Sequence, residues 1–444
     1  MTEEQQPLKN TARMLDIAIA MTESTRPEPI ELRRSDPSLV SPARPASGCR
    51  ASLCPICHCT TPIQLDKRFS APLLQNRVWP DRVSARAAPV GELEFVLCAA
   101  CGFAWNRAFR PDRVVYDQAY DNDQMGSPQF RVHVAAMIEQ ILTRVPSGRL
   151  THLVEVGCGQ GSFLTGLAQS KRFASLTGFD PAWRGKEGLE TDGITIHRRY
   201  FGWDALDLVP HGPLFVVARH TIEHVADPMS FLRAICATMK PNDDGRLFLE
   251  TADIEWIIET FQPQDLFYEH YSIFSRDALR VALAAAGFEL LSIDRVFNDQ
   301  YLWAEARPTI GERRIIGRCE FTAAAENFAN RRDRFVRVYR AWMTRIAANR
   351  TVWLWGASSK GVTFAQLVDP DGSQLAGAID INQKKIGYFM PGTGLPIVSP
   401  SVLQDGDTVI IMNPNYRAEI TSCIGGMGIT ARLLSVDSVE YQEL

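Results

Sequence analysis

The chain has 444 residues, 45% of them apolar, with 47 basic against 51 acidic side chains and a formal charge of −4. At roughly 100–200 residues per unit such a length holds about three domains, and the charge balance carries no electrostatic footprint for nucleic acid. No apolar run reaches the length of a membrane span, and the short apolar stretch at 14–21 contains Asp16, which argues against a signal peptide. The expectation is a cytoplasmic protein that handles a small, dissolved molecule.

Residues 1–48 are rich in Pro, Ser, Glu and Arg without a sustained period, and read as a disordered tail with at most a short helix near Leu15. Two C-x-x-C pairs follow, Cys54 with Cys57 and Cys98 with Cys101. Each pair sets two thiolates on one tight turn, and together they supply the four soft ligands of a structural zinc. Cys49, His58 and Cys59 are nearby substitutes, so the spacing alone does not make the ligand set unique. A zinc-binding module over 49–110 is expected, closed to chemistry because four thiolates leave no open position. Residues 111–150 read as mainly helical, with Phe130, Val132, Val134, Met137, Ile138 and Ile141 at mostly helical spacings.

The stretch the chain is organised around begins at Leu153. Leu153, Val154 and Val156 form a short apolar strand, and Gly157, Gly159 and Gly161 then break it into a turn that lets backbone N–H groups approach a ligand. The next strand ends in Asp180, at about the distance where nucleotide folds place an acid on the ribose. A nicotinamide fingerprint normally keeps an apolar residue where this strand has Glu155. The Glu155, Gly157, Gly159, Gly161 order resembles motif I of class I S-adenosylmethionine-dependent methyltransferases, and 178–181 resembles their second motif. The resemblance implies that the glycines face the methionine part of the donor and that Asp180 holds its ribose hydroxyls.

A third strand at 194–197 leads to Tyr200 and Phe201, either of which is placed to border an adenine or to pack in the core. A fourth strand at 214–218 delivers Arg219, His220 and His224 to the edge of the sheet where ligands of open α/β folds bind. Arg219 and His220 are candidates for holding the carboxylate of the cofactor or for packing the sheet edge. Asp227 and Pro228 open a helix, 246–250 is a fifth strand, and 288–293 with 301–306 alternate like a closing antiparallel pair. Between them Ser275 and Asp277 suggest a helix cap, which leaves Glu269 and His270 in the preceding loop. An acid beside an imidazole among aromatic rings is a candidate general base with its orienting partner, and His224 is placed to converge on it.

Residues 309–346 read as a basic helical connector with Phe328, Phe335, Tyr339 and Trp342 on one face. From 347 to 444 a second α/β unit repeats the strand, Gly356, helix order, with Asp380 ending its next strand, either a nucleotide cradle or a purely architectural sheet. The predicted fold is therefore α/β: a Rossmann-like methyltransferase core over 111–308, a zinc module before it and a second α/β domain after it.

Taken together, the two knuckles, the core, the Glu269-His270 loop and a last domain opening with Trp355, Gly356, Ala357, Ser358, Lys360 and Gly361 resemble the three-domain sugar C-methyltransferases, which tailor deoxysugars carried on a nucleotide. The resemblance implies that Glu269, His270 and His224 generate an enolate beside a sugar keto group, and that the enolate takes the methyl of S-adenosylmethionine. Where the family commonly has a tyrosine two positions before the Glu-His pair this chain has Phe267, so a phenol at the site would have to come from Tyr268. An O- or N-methyltransferase and a non-catalytic nucleotide-binding scaffold are the alternatives, the intact Gly157, Gly159, Gly161 and Asp180 speaking against the scaffold.

Overall fold

The computed structural model describes residues 53–436 except 119, 121, 189, 191 and 240–243, so the tail expected at 1–48 and Cys49 lie outside the described residues. Three sheets organise it, with strands numbered along the chain. The first is antiparallel, β1 (Pro62–Pro72), β2 (Val90–Cys98) and β3 (Ala104–Asn106), completed by β9 (Ser272–Ile273) from the middle of the chain. A short helix, α1 (Arg82–Arg86), sits in the β1–β2 connection, capped by the Asp81 side chain.

The central sheet has the order β10-β11-β8-β7-β4-β5-β6, where β4 is His152–Val156, β5 Ser175–Phe179, β6 Ile194–His197, β7 Leu214–Arg219, β8 Arg246–Ala252, β10 Phe288–Val296 and β11 Tyr301–Pro308. Its first five strands in sequence run parallel, and β11 inserts antiparallel between β8 and β10. Strand alternation divides the apolar side chains between two layers. Leu153, Phe215 and Val217 join a cluster with α2 (Pro128–Arg144) and α3 (Ser162–Ala168). Val154, Val156, Val216 and Ala218 join one with α4 (Pro228–Thr238) and α6 (Arg276–Ala285), on the opposite face. The short α5 (Ile254–Glu259) follows β8. Predicted starts recur: Asp227 accepts from Ser230 N–H with Pro228 in the first turn, and Ser275 accepts from Ala278 N–H.

The third sheet is wholly parallel, in the order β14 (Ile397–Val398), β13 (Gly377–Ile379), β12 (Val352–Trp355), β15 (Thr408–Ile411), β16 (Arg432–Ser435), with α9 (Ser359–Val368) and α10 (Arg417–Gly426) packed on it. α7 (Thr322–Glu326) and α8 (Phe328–Ala347) precede it. Two helical expectations were too long. Among the described residues of 114–127 there is no helix, and α2 starts only at Pro128, whose fixed φ suits a first helical position; 309–321 are irregular, held to the central domain by Thr309 and Arg313 N–H bonds. The stripe of Phe328, Phe335, Tyr339 and Trp342 is buried, and α8 is more than a connector: it shares one core with β1, β2 and β12.

Candidate active site

The donor corner forms where β4 ends. Gly157 N–H donates to Phe179 O at 2.8 Å, turning the chain over the end of β5. Gly157 has φ +76, and a Cβ there would meet Thr221 Oγ1 at 2.1 Å, so only glycine fits. Gly159 has φ +55 and open space where its Cβ would be, leaving the backbone accessible. Gly161 caps α3. Asp180 accepts from Gly159 N–H at 2.8 Å and Ala182 N–H at 2.7 Å, and burial pushes its carboxyl above the ordinary range. Each of its oxygens keeps a further lone pair. Glu155, buried in mid-strand, is raised to about 8 by burial, against the pull of Arg219. Glu155 Oε2 and Arg219 Nη2 are both buried without a hydrogen-bond partner. An orphaned acceptor and an orphaned donor beside an open glycine turn fit the ammonium and carboxylate of an amino-acid ligand, and Asp180 fits vicinal hydroxyls.

Arg219 and His220 are tied into a buried charge cluster as well. Arg219 Nε donates to Glu250 Oε2 at 2.7 Å, and His133 bonds the other oxygen of that carboxylate. His220, at φ +48, stands between Glu223 (3.4 Å) and Glu250 (3.7 Å). Phe201 is partly buried, its ring centroid 5.2 Å from Phe179 and 6.5 Å from Phe231.

His224 and His270 meet at the same sheet edge, ring centroids 5.0 Å apart. His224 Nδ1 lies 2.8 Å from the Tyr116 hydroxyl and 3.0 Å from Glu269 O. A carbonyl only accepts, so Nδ1 carries the proton and Nε2 the lone pair. Burial holds His270 well below the ordinary histidine range and keeps it neutral, and Phe267 covers it at 3.9 Å between centroids. Glu269 is fully buried and accepts from the backbone N–H groups of Gln75 and Asn76 and from the Tyr120 hydroxyl. Burial raises its carboxyl despite His224 and these donors.

Two expectations change here. The Glu269 carboxylate bonds to Gln75, Asn76 and Tyr120 rather than orienting the His270 ring: Tyr268 and Glu269 form a turn closed by His270 N–H on Phe267 O, which aims Glu269 at the start of the β1–β2 connection and leaves His270 beside Phe267. Tyr268, offered as a source of a phenol, is buried in the N-terminal core, stacked on Phe109, its hydroxyl taken by Arg110 N–H at 3.0 Å. The phenols at the site are those of Tyr116 and Tyr120, from the irregular segment before α2. Nothing local in the sequence marks them, and reading their stretch as helical gave no reason to place them at the site.

The four knuckle cysteines come together as spaced, their Sγ atoms all within 4.8 Å of one another, while Cys59 Sγ turns to Thr61 Oγ1 at 3.1 Å. Four sulfur donors in this arrangement fit a soft, tetrahedral metal ion. The cluster also braces the loop after His270. Ser275 Oγ donates to Cys101 O at 3.0 Å, β3 pairs with β9, and Asn106 N–H donates to Tyr271 O at 2.8 Å.

Comparison with known proteins places these parts. Residues 130–293 match the family model of a methyltransferase domain, and 319–426 match that of a C-methyltransferase C-terminal domain. The C-methyltransferase NovU of Streptomyces niveus is 24% identical over 373 residues, 79% of this chain and 87% of NovU. A ubiquinone biosynthesis O-methyltransferase of Methylobacterium sp. (strain 4-46) is 37% identical over 102 residues, 22% of this chain and 38% of that protein. The N,N-8-amino-8-demethyl-D-riboflavin dimethyltransferase of Streptomyces davawensis superposes with a TM-score of 0.30 at 21% identity, over 42% of this chain and 61% of its own, too loosely to carry weight. Among the described residues no helix is long and apolar enough to cross a membrane. With a glycine corner fitted to the methyl donor and both halves of the chain matched, the protein belongs to the class I S-adenosylmethionine-dependent methyltransferases that carry a C-methyltransferase C-terminal domain.

Proposed function

We propose that the protein methylates a carbon next to the keto group of a small sugar carried on a nucleotide, and that its cysteine cluster holds zinc. S-adenosylmethionine, when bound, supplies an electrophilic methyl on its sulfonium. Asp180 holds the ribose, Glu155 and Arg219 hold the amino-acid end, and Phe201 borders the adenine. His224, with the Nε2 lone pair, or neutral His270 beside it takes the proton from the acceptor carbon. The resulting enolate attacks in line, and the chain's task is the positioning. Tyr116 offers its hydroxyl toward the developing oxyanion, a place where a donor commonly matters greatly, while the Tyr120 proton is committed to Glu269.

The observation that carries this reading is the convergence of His224 and His270 at the carboxyl edge of the sheet, with Glu269 O setting the tautomer of His224. The test is to incubate the enzyme with keto nucleotide sugars and a donor bearing a 13C methyl. A new carbon-bound methyl is expected by NMR, and, in D2O without donor, exchange of the proton next to the keto group. A methyl resonating as bonded to oxygen or nitrogen, or an absence of exchange with a turned-over substrate, would sink the enolate.

A further inference from the structure

Beside the two histidines lies a third donor that the proposed reaction does not use. A carboxylate oxygen of Glu223 and one ring nitrogen each of His224 and His270 lie within 4.8 Å of one another. Glu223 is fully buried on the turn Ile222–His224 that follows β7. Thr251 Oγ1 donates to its Oε2 at 2.9 Å, while Oε1 has no hydrogen-bond partner, His220 Nδ1 standing 3.4 Å off. His270 Nδ1 is buried and without a partner too. A buried carboxylate whose Oε1 has only the loose contact with His220, and a buried imidazole with an unpartnered nitrogen, on residues whose donor atoms gather this closely, are a costly arrangement that an added cation would satisfy.

We propose that Glu223, His224 and His270 form a second cation site, separate from the cysteine cluster, that takes a first-row divalent ion such as zinc, cobalt or nickel. Two imidazoles and one carboxylate suit these ions, whereas magnesium and calcium prefer an all-oxygen shell. His224 is preset for the task, since its Nδ1 proton is committed to Glu269 O and its Nε2 carries the lone pair. Filling the site engages the nitrogen lone pairs that would otherwise accept a proton, so the metal-loaded enzyme is inhibited. That inhibitory half rests on the proposed function; the binding half does not.

The experiment uses the full chain with its cysteine site already zinc-loaded, titrated with Co2+, and the metals counted after removal of excess. One cobalt per chain beyond the zinc is expected, with the weak visible bands of a nitrogen and oxygen site and no thiolate charge transfer. Glu223→Gln and His270→Gln should each weaken cobalt binding by about tenfold or more, on the scale of lost metal-site partners. Because Glu223 is buried, circular dichroism is recorded for each variant, and His270→Gln, on a loop, serves if Glu223→Gln does not fold. No cobalt beyond the cysteine site, or unchanged affinity in a folded variant, overturns the site. Suppressed turnover that a chelator restores supports the inhibitory half; undiminished turnover with cobalt bound overturns that half while the site stands.

Discussion

His270 and Asp180 separate the two halves of the chemistry. His270→Gln keeps the ring's bulk roughly but not its basicity, and its loss is expected to lower turnover by about a hundredfold or more, the usual reach of a general base. Donor affinity, read by calorimetry, should stay at the wild-type value, since His270 touches none of the glycine corner; near-wild-type turnover would remove it from the mechanism. Asp180→Asn should do the reverse and weaken donor binding, because one oxygen that accepts from the loop N–H groups becomes a donor. Glu155 gives a pH signature. Its folded value of about 8 stands above the ordinary 4.5, burial being the main cause, so its contribution to stability is complete below about 4.5 and is lost as pH rises through about 8. Glu155→Gln should flatten the fall of the thermal midpoint across that window. A donor ammonium placed beside Glu155 would draw its pKa down, so binding near pH 7.5 should release a proton, measured by calorimetry in buffers of different ionisation heat. Equal heats in all buffers would contradict that placement.

The elements around His270 are braced from outside the methyltransferase core. Ser275 serves twice, capping α6 through Ala278 N–H and donating to Cys101 O next to the thiolate cluster. Ser275→Ala should cost about 1 kcal/mol for the cap alone, and should slow turnover more than it weakens donor binding, because the β3–β9 pairing that follows His270 loosens with it. Stripping the cysteine-bound metal with a chelator should act likewise: methyl transfer is lost while calorimetric donor affinity survives. If both fall together, the cluster supports the whole fold rather than this loop. In the C-terminal domain Gly361 has a sharper constraint. A Cβ there would lie 1.9 Å from Gly356 O, so Gly361→Ala forces α9 off β12 and should cost about 1–3 kcal/mol, visible as a lower unfolding midpoint.

The whole molecule closes around the pocket through polar contacts between units. Asn76, whose N–H bonds Glu269, passes its side-chain amide to Ser359 at 3.0 Å, and Lys360 Nζ bonds the buried Asp265 at 2.7 Å while lying over Trp256. Asn413 and Asn415 reach back to Gln300 and Phe297 on the far edge of the central sheet. Lys360→Met would leave Asp265 as an unpaired buried carboxylate, a loss of about 3–5 kcal/mol, whereas the double variant with Asp265→Leu should recover much of it. Failure of the double variant to recover would show that Lys360 matters for a reason other than this pair.

What could be read along the chain was what the backbone settles locally. The C-x-x-C turns, the strand, glycine and helix corners and the caps at Asp227 and Ser275 all depend on residues a few positions apart, so their geometry follows from their spacing; the closing strands pair as antiparallel neighbours, but β11 is buried along nearly its whole length and does not alternate. The partners of Glu269 did not follow from spacing. Tyr120 lies 149 residues away and Gln75 194, and only the packing of the first sheet against the core brings them to that carboxylate. The fate of Tyr268 was decided the same way: it sits in the turn closed by His270 N–H on Phe267 O, and the core of the first sheet takes its ring while Phe267 stays over His270. Sequence thus determined which chemical groups the chain carries and which local turns present them. The tertiary structure decided which of those groups face one another, since register and long-range packing are fixed by burying apolar surface across the whole molecule and by no single stretch of it.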